Sequence, residues 1–126
     1  MRRSFRFGGL FAYAVLAGCA SAESPELACQ KRLAAVPDAQ QVAGDDFHYQ
    51  GYAKLDRTGC TAKQQAVLNQ ILPLAKALPA LSKANQQAKS EADIAATFQS
   101  MNNALIALDD LERTIRVDLE KLEPPQ

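Results

Sequence analysis

Apolar residues recur at helical spacing along most of the second half of the chain. One stripe, with spacings of three and four positions, consists of Val67, Ile71, Leu74, Leu78 and Leu81. A second stripe with the same spacing consists of Ile94, Phe98, Met101, Leu105, Leu108, Leu111, Ile115, Leu119 and Leu122. This periodicity predicts two long amphipathic helices, each needing an apolar partner surface. Pro73 and Pro79 lie in the first one, and because proline lacks an amide hydrogen, we expect a kink or split near residues 72–73.

Capping residues mark where the helices begin. Ser24, followed directly by a proline, predicts the start of a first helix over residues 25–35. Thr61 with Gln64 three positions later forms a capping box before the first long helix. Ser90 precedes the second long helix, so the short break before it predicts an antiparallel hairpin.

Residues 36–60 show no sustained helical period and contain three glycines. We predict an ordered loop here, with either a short helical turn or an extended piece around Phe47, His48 and Tyr49. The fold class that follows is all-α: one domain over residues 25–123, a small bundle of three to four helices built on the long hairpin.

Charge is unevenly distributed. The chain has 14 basic and 14 acidic residues, which excludes a strongly basic nucleic-acid binder. Arg2, Arg3 and Arg6 precede an uncharged apolar run over residues 10–17, and no acidic residue occurs before Glu23. A basic start, a short apolar run and small residues are typical of a secretory signal peptide, here residues 1–18.

The signal peptide ends in Leu16-Ala17-Gly18-Cys19. This tetrapeptide resembles the lipobox of bacterial lipoproteins, in which cleavage leaves the cysteine as a lipid-modified N-terminus. The resemblance covers only the leader and implies lipidation of Cys19, incorporation of palmitate, and a tether over residues 19–24. Because Ala20 follows the cysteine, the sorting rule of that family implies the outer membrane, facing the periplasm. The alternative is cleavage after Ala22, which would release a soluble periplasmic protein.

The mature chain is mildly acidic. Cleavage before Cys19 removes three arginines and leaves 11 basic against 14 acidic residues, a net charge of −3. Such a surface has no electrostatic attraction to an anionic bilayer. We therefore expect membrane attachment through the lipid alone.

Two further cysteines, Cys29 and Cys60, remain in an oxidising compartment. We predict that they form an intramolecular disulfide. It would close a loop of about 30 residues and stabilise the fold by about 3.5 kcal/mol in the chain-entropy model. A metal site or redox pair fits less well, because the spacing is not Cys-x-x-Cys and His48 is the one histidine.

Few residues suggest catalysis. Asp45, Asp46 and His48 are the one cluster of acids and imidazole, and they could ligate a cation, perform acid–base work or simply form a turn after Gly44. The sequence contains no nucleophile motif, phosphate loop or metalloprotease motif. We therefore expect no enzymatic activity, catalytic residue, cofactor, metal or small-molecule substrate.

Aromatic residues are concentrated in one place. Phe47, Tyr49 and Tyr52 fall within six residues. They are either the anchors of a partner-binding surface or rings that cover the open side of the hairpin. If they are core, the polar side of the last helix around Asp109, Asp110 and Arg113 is the next candidate. Part of the helical stripes could also form a helix-in-groove or dimer seam.

These features predict a small envelope lipoprotein that acts by protein–protein interaction, as an accessory component of an envelope or secretion complex. The expected architecture is similar to that of pilotins, small helical lipoproteins with one disulfide, although no shared motif carries the likeness. The alternative is a periplasmic immunity or inhibitor protein against a toxin or hydrolase, and an enzyme ranks third.

Overall fold

The computed structural model describes residues 23–38 and 47–124, and this part of the chain forms an all-α bundle. Its helices are α1 (Pro25–Ala34), α2 (Phe47–Ala53), α3 (Ala62–Gln87) and α4 (Glu91–Leu122). Helices α3 and α4 form the long antiparallel hairpin, and α1 and α2 pack on it. The predicted fold class is confirmed.

The predicted caps are present at three helix starts. The Ser24 hydroxyl accepts a hydrogen bond from the Leu27 amide at 3.0 Å. The Thr61 hydroxyl accepts from the Gln64 amide at 3.1 Å, and the Gln64 side-chain oxygen accepts from the Thr61 amide at 2.8 Å. Ser90 caps α4 in the same way as Ser24 caps α1. Each cap satisfies amide groups that have no partner inside the helix.

Helix α3 is not split at its prolines. It runs unbroken through Pro73 and Pro79. Three residues of α3 that lie between or beside the two prolines in the sequence are almost completely buried: Ile71, Ala75 and Leu78. Because helices in proteins are held mainly by the packing of their apolar face, this burial outweighs the hydrogen bonds that the two prolines remove.

The predicted loop over residues 36–60 contains helix α2. The sequence pattern left a short helical turn open, and the structure shows seven residues of helix there. Two of its side chains, His48 and Tyr52, are buried against the hairpin. Gly51 allows a close approach at this point, because a Cβ atom there would lie 2.9 Å from Val36 Cγ1.

Cys29 and Cys60 form the predicted disulfide. It joins α1 to the residue before the capping box of α3. Gly59, immediately before it, has a φ of 79°. A Cβ atom at Gly59 would also lie 2.7 Å from Pro25 Cβ, so glycine permits both the turn and the close packing on α1.

The core occupies one end of the hairpin. The buried residues of α3 end at Leu78, and those of α4 begin at Ala104. Residues 79–103, which we call the projecting half, include no buried residue. Thr97 Oγ1 donates to Asn85 Oδ1 at 3.0 Å and ties the two helices together there.

The second apolar stripe is therefore only partly core. Leu108 and Ile115 are buried as predicted, but Ile94 is 45% exposed and Phe98 is 53% exposed. The pattern predicted one continuous seam along α4. The buried seam does not continue into the projecting half, because among the described residues only α3 and α4 pack against each other there.

Candidate functional site

The candidate cluster of Asp45, Asp46 and His48 is only partly visible, because both aspartates lie outside the described residues. His48 instead contacts an acid from the other end of the chain. Its Nε2 atom lies 2.8 Å from Glu112 Oε2 on α4. Both side chains are buried, with 1% and 4% exposed.

Tyr52 completes this cluster. Its hydroxyl donates to the same Glu112 oxygen at 3.2 Å, and its ring meets the His48 ring edge-on, with centroids 5.2 Å apart. Burial raises the pKa of the Tyr52 hydroxyl far above its ordinary value, and the negative charge of Glu112 raises it further. The hydroxyl is therefore a hydrogen-bond donor over the whole physiological pH range.

This geometry fits a structural role for the cluster. The cavity beside Tyr52 and Glu112 measures about 10 Å³, the space of a single water molecule. His48 Nδ1 has no hydrogen-bond partner within the described residues. The contacts of His48 and Tyr52 with Glu112 attach the short helix α2 to α4. A buried carboxylate is stable only when hydrogen-bond donors such as these surround it.

The sequence contains a signal for the burial of Glu112, which was not predicted. Its i,i+4 spacing from Arg116 favours an ion pair on the polar side of α4. The residues Leu105, Leu108, Glu112 and Ile115 are spaced by three, four and three, so Glu112 occupies a position of the apolar stripe. Arg116 pairs with Asp38 instead, at 3.1 Å.

A second buried polar group joins three helices and was not predicted. Gln30 on α1 donates to the Ile115 carbonyl of α4 at 2.8 Å. The side-chain nitrogen of Gln64, Nε2, donates to Gln30 Oε1 at 2.9 Å and to the backbone carbonyl of Glu26 at 2.8 Å. Because Gln64 also completes the capping box, it links the start of α3 to α1. These contacts place the start of α1 beside the start of α3.

The three aromatic residues predicted as partner anchors lie on α2. Tyr52 is 2% exposed and belongs to the core, so it cannot serve as the surface anchor predicted for it. Tyr49 is half-buried, and the Lys76 ammonium of α3 lies 6.0 Å from its ring centroid. Phe47 begins α2. The alternative interpretation, in which rings cover the open side of the hairpin, describes Tyr52.

On the polar side of α4, Asp109 pairs with Arg113, four residues later, and Arg113 also pairs with Asp110 at 3.0 Å. All three charges are therefore partnered within one helix. An open depression of about 420 Å³ lies beside them, between Arg113 and Lys121.

Two of the four exposed large apolar side chains of the described residues, Ile94 and Phe98, lie on the projecting half of the hairpin. Glu112, Leu105 and Phe98 are seven residues apart and so lie on nearly the same face of α4. Helix α2 covers this face at Glu112. At Phe98, 14 residues nearer the hairpin turn, the side chain on this face is 53% exposed.

Helix α3 borders the same face with lysines. Lys76 lies beside Tyr49 of α2, and Lys83, seven residues later, lies on the same side of α3. The hydrogen bond between Asn85 and Thr97 places Lys83 near the level of Phe98. We call the surface formed by Lys76, Lys83, Ile94 and Phe98 the ledge.

Cys19 and the tetrapeptide before it lie outside the described residues, so lipidation stays a prediction. The described residues contain no group of three or more His, Cys, Asp and Glu that could hold a metal ion. Among the helices that the structure describes, none is long and apolar enough to cross a membrane.

Comparison of the chain with protein-family models, with curated proteins and with solved structures finds no match.

Proposed function

We propose that this protein is a lipid-anchored interaction module of the bacterial cell envelope, an accessory component that binds another envelope protein through its projecting hairpin. The lipobox-like tetrapeptide ending in Cys19 supports the anchor. The projecting half supports the interaction, because Ile94 and Phe98 are exposed there in the part of the chain that the structure describes. Unpartnered apolar groups on a rigid scaffold are typical of protein-binding surfaces.

The observation that carries this proposal is the orientation of the hairpin: the chain that follows Cys19 enters the bundle at the end opposite the projecting half. The Glu26 carbonyl of α1 accepts a hydrogen bond from Gln64, so the start of α1 lies at the open end of the hairpin. The turn that precedes α4 lies at the other end of α3, whose 26 residues extend about 39 Å. A lipid on Cys19 would therefore hold the core end near the bilayer and present the projecting half to the aqueous phase.

Two measurements test the proposal in the native host. Labelled palmitate should be incorporated into the wild-type protein and not into Cys19→Ser. After mild detergent extraction, wild-type protein should elute from a sizing column in a complex containing other envelope proteins. Elution as a free monomer, or palmitate labelling that survives Cys19→Ser, would contradict the proposal. A complex with one secreted toxin or hydrolase would support the alternative role of an immunity or inhibitor protein.

A further inference from the structure

We propose that the ledge binds an amphipathic helix from a different protein, with aliphatic side chains on Ile94 and Phe98 and acidic side chains beside Lys76 and Lys83. This inference rests on the proposed function, because it names the class of partner for the same hairpin.

Helix α2 already occupies the corresponding groove between α3 and α4 nearer the core end of the hairpin. Helix α2 lies across the groove between α3 and α4, with Tyr49 near Lys76 and His48 against Glu112. Lys83 and Phe98 repeat these positions one and two heptads along their helices, toward the turn. The ledge is thus the continuation of a groove that one helix of this protein already occupies.

The charges around the ledge define its ligand. Helix α3 contains three lysines and no acidic residue. Residues 94–108 of α4 contain no charged residue, and beside the turn the exposed Glu91 lies seven residues before Phe98, on the same face. A helix that lies in the groove would meet an apolar floor on α4 and a positive border on α3. Acidic residues on the flank facing α3 would complement that border, and basic residues there would be repelled.

Of the mature chain's segments outside the described residues, only one is long enough to approach the ledge. Residues 39–46 connect Asp38 to the start of α2, and at about 3.5 Å per residue an excursion out and back reaches about 15 Å. Tyr49 lies beside Lys76, which the bond between Asn85 and Thr97 sets level with residue 106 of α4, about 12 Å from Phe98. The crosslinking experiment below therefore distinguishes this segment from a separate protein. Residues 19–22 extend at most about 14 Å from the opposite end of the hairpin and do not reach the ledge.

A second copy fits the ledge poorly. In a parallel two-fold dimer, the layer of α1 and α2 in each copy lies at the same level and on the same face, and it would hold the two ledges apart. An antiparallel two-fold dimer would avoid that clash. It would set α3 against α3 of the other copy, where every charge is a lysine, and would direct the two tethers to opposite sides.

Site-specific photocrosslinking in the native host tests this inference. The photoreactive residue p-benzoylphenylalanine replaces Phe98 in one variant and Ile106 in the control. The control is matched because both side chains are 53% exposed on α4, and Ile106 points away from the ledge by about 80° around the helix. Crosslinked peptides are then sequenced by mass spectrometry. We expect an adduct from position 98 to an amphipathic segment of another protein that carries Asp or Glu on one flank.

Charge reversal supplies the second measurement. Lys83→Glu should lower the adduct yield from position 98 about fivefold, the change expected for a single exposed ion pair. Lys121→Glu, at the opposite end of the hairpin, should leave the yield unchanged. An unchanged yield in Lys83→Glu would overturn the assigned charge of the partner.

The remaining outcomes separate the two proposals. An adduct of twice the mass of the chain, or an internal adduct to residues 19–22 or 39–46, would overturn the inference in favour of that occupant. An adduct from position 106 with none from position 98 would overturn the inference. It would leave standing the proposed role as an interaction module and contradict only its assignment to the projecting half. No protein adduct from either position, together with monomeric elution of the extracted protein, would overturn both.

Discussion

His48 on α2 and Glu112 on α4 form a buried pair across 64 residues of sequence, with 2.8 Å between Nε2 and Oε2. Helix α2 has only seven residues, too few to be stable as an isolated helix. Its attachment therefore depends on tertiary contacts, and this pair with Tyr52 supplies the buried polar ones.

Removing one member of this pair should destabilise the protein strongly. Glu112→Ala leaves His48 Nε2 and the Tyr52 hydroxyl buried without their acceptor, and we expect a loss of about 2–4 kcal/mol in the free energy of unfolding. The measurement is urea unfolding followed by circular dichroism. Glu120→Ala, an exposed acid on the same helix, is the control and should change the stability by less than about 0.5 kcal/mol.

The pairing itself is tested by a double-mutant cycle. Replacing His48 and Glu112 together by Phe and Leu removes both polar groups at once. The double variant should be more stable than the sum of the two single changes predicts, by about 1–3 kcal/mol, because His48 and Glu112 no longer leave each other unpaired. The Tyr52 hydroxyl loses its acceptor in the Glu112 single variant and in the double variant alike, so that cost cancels in the cycle. Strictly additive losses would show that the two side chains stabilise the fold independently.

The raised pKa of Tyr52 predicts a loss of stability in alkali. In the unfolded chain this hydroxyl titrates near its ordinary value of 10.0, whereas in the folded protein it remains protonated. Above that pH the unfolded state releases a proton that the folded state keeps, so unfolding becomes more favourable as pH rises. The contribution of Tyr52 is complete below about pH 10 and declines above it by up to about 1.4 kcal/mol per pH unit.

Comparison with Tyr52→Phe isolates this effect from other groups that titrate in alkali. At about pH 8 the variant should be less stable by about 1 kcal/mol, because the hydrogen bond to Glu112 is lost. Between about pH 10 and 11 its stability should fall less steeply than that of the wild type. Parallel pH profiles for the two proteins would exclude Tyr52 as the titrating group.

Local signals predicted the parts of the fold that depend on neighbouring residues. Ser24, Thr61 and Ser90 cap their helices through atoms three residues away, so the sequence pattern contains both partners of each contact. The pairing of Cys29 with Cys60 followed from the even count of cysteines left after the leader. The hairpin followed from two long periodic segments with a short break between them.

Features that depend on distant contacts were missed. A stripe predicts which side of α4 is apolar, but not how far the neighbouring helices extend along it, so Phe98 and Leu108 looked equivalent. The first is 53% exposed and the second is completely buried. Likewise, α2 is stabilised by contacts with α3 and α4, and its own seven residues, which include Gly51, have little tendency to form a helix.

The disulfide between Cys29 and Cys60 should contribute a large part of the stability. The bond closes a loop across 31 residues, which corresponds to about 3.5 kcal/mol in the chain-entropy model. For a domain of this size, the melting temperature of Cys60→Ser should fall by more than about 10 °C. Thiol titration of the unreduced, denatured mature protein should find neither cysteine reactive, and two reactive thiols would contradict the bond.

Gly59 should not tolerate a side chain. Its φ of 79° is unfavourable for alanine, and the added Cβ atom would lie 2.7 Å from Pro25 Cβ on α1. We expect Gly59→Ala to lower the free energy of unfolding by about 1–3 kcal/mol, measured by urea unfolding with the disulfide intact. Ala66→Gly, at an exposed position of α3, measures the ordinary cost of exchanging these two residues, about 1 kcal/mol in the helix.

Truncation on the ledge should affect stability far less than truncation in the core. Phe98→Ala removes a large ring that remains half in solvent, so we expect a loss below about 1 kcal/mol in the free energy of unfolding. Leu108→Ala, ten residues along the same helix, removes a completely buried side chain and should cost about 2–5 kcal/mol. Urea unfolding of the purified mature protein, without any partner, gives both values. Similar large losses for the two variants would mean that Phe98 is a core residue, and the exposed ledge would then not exist in solution.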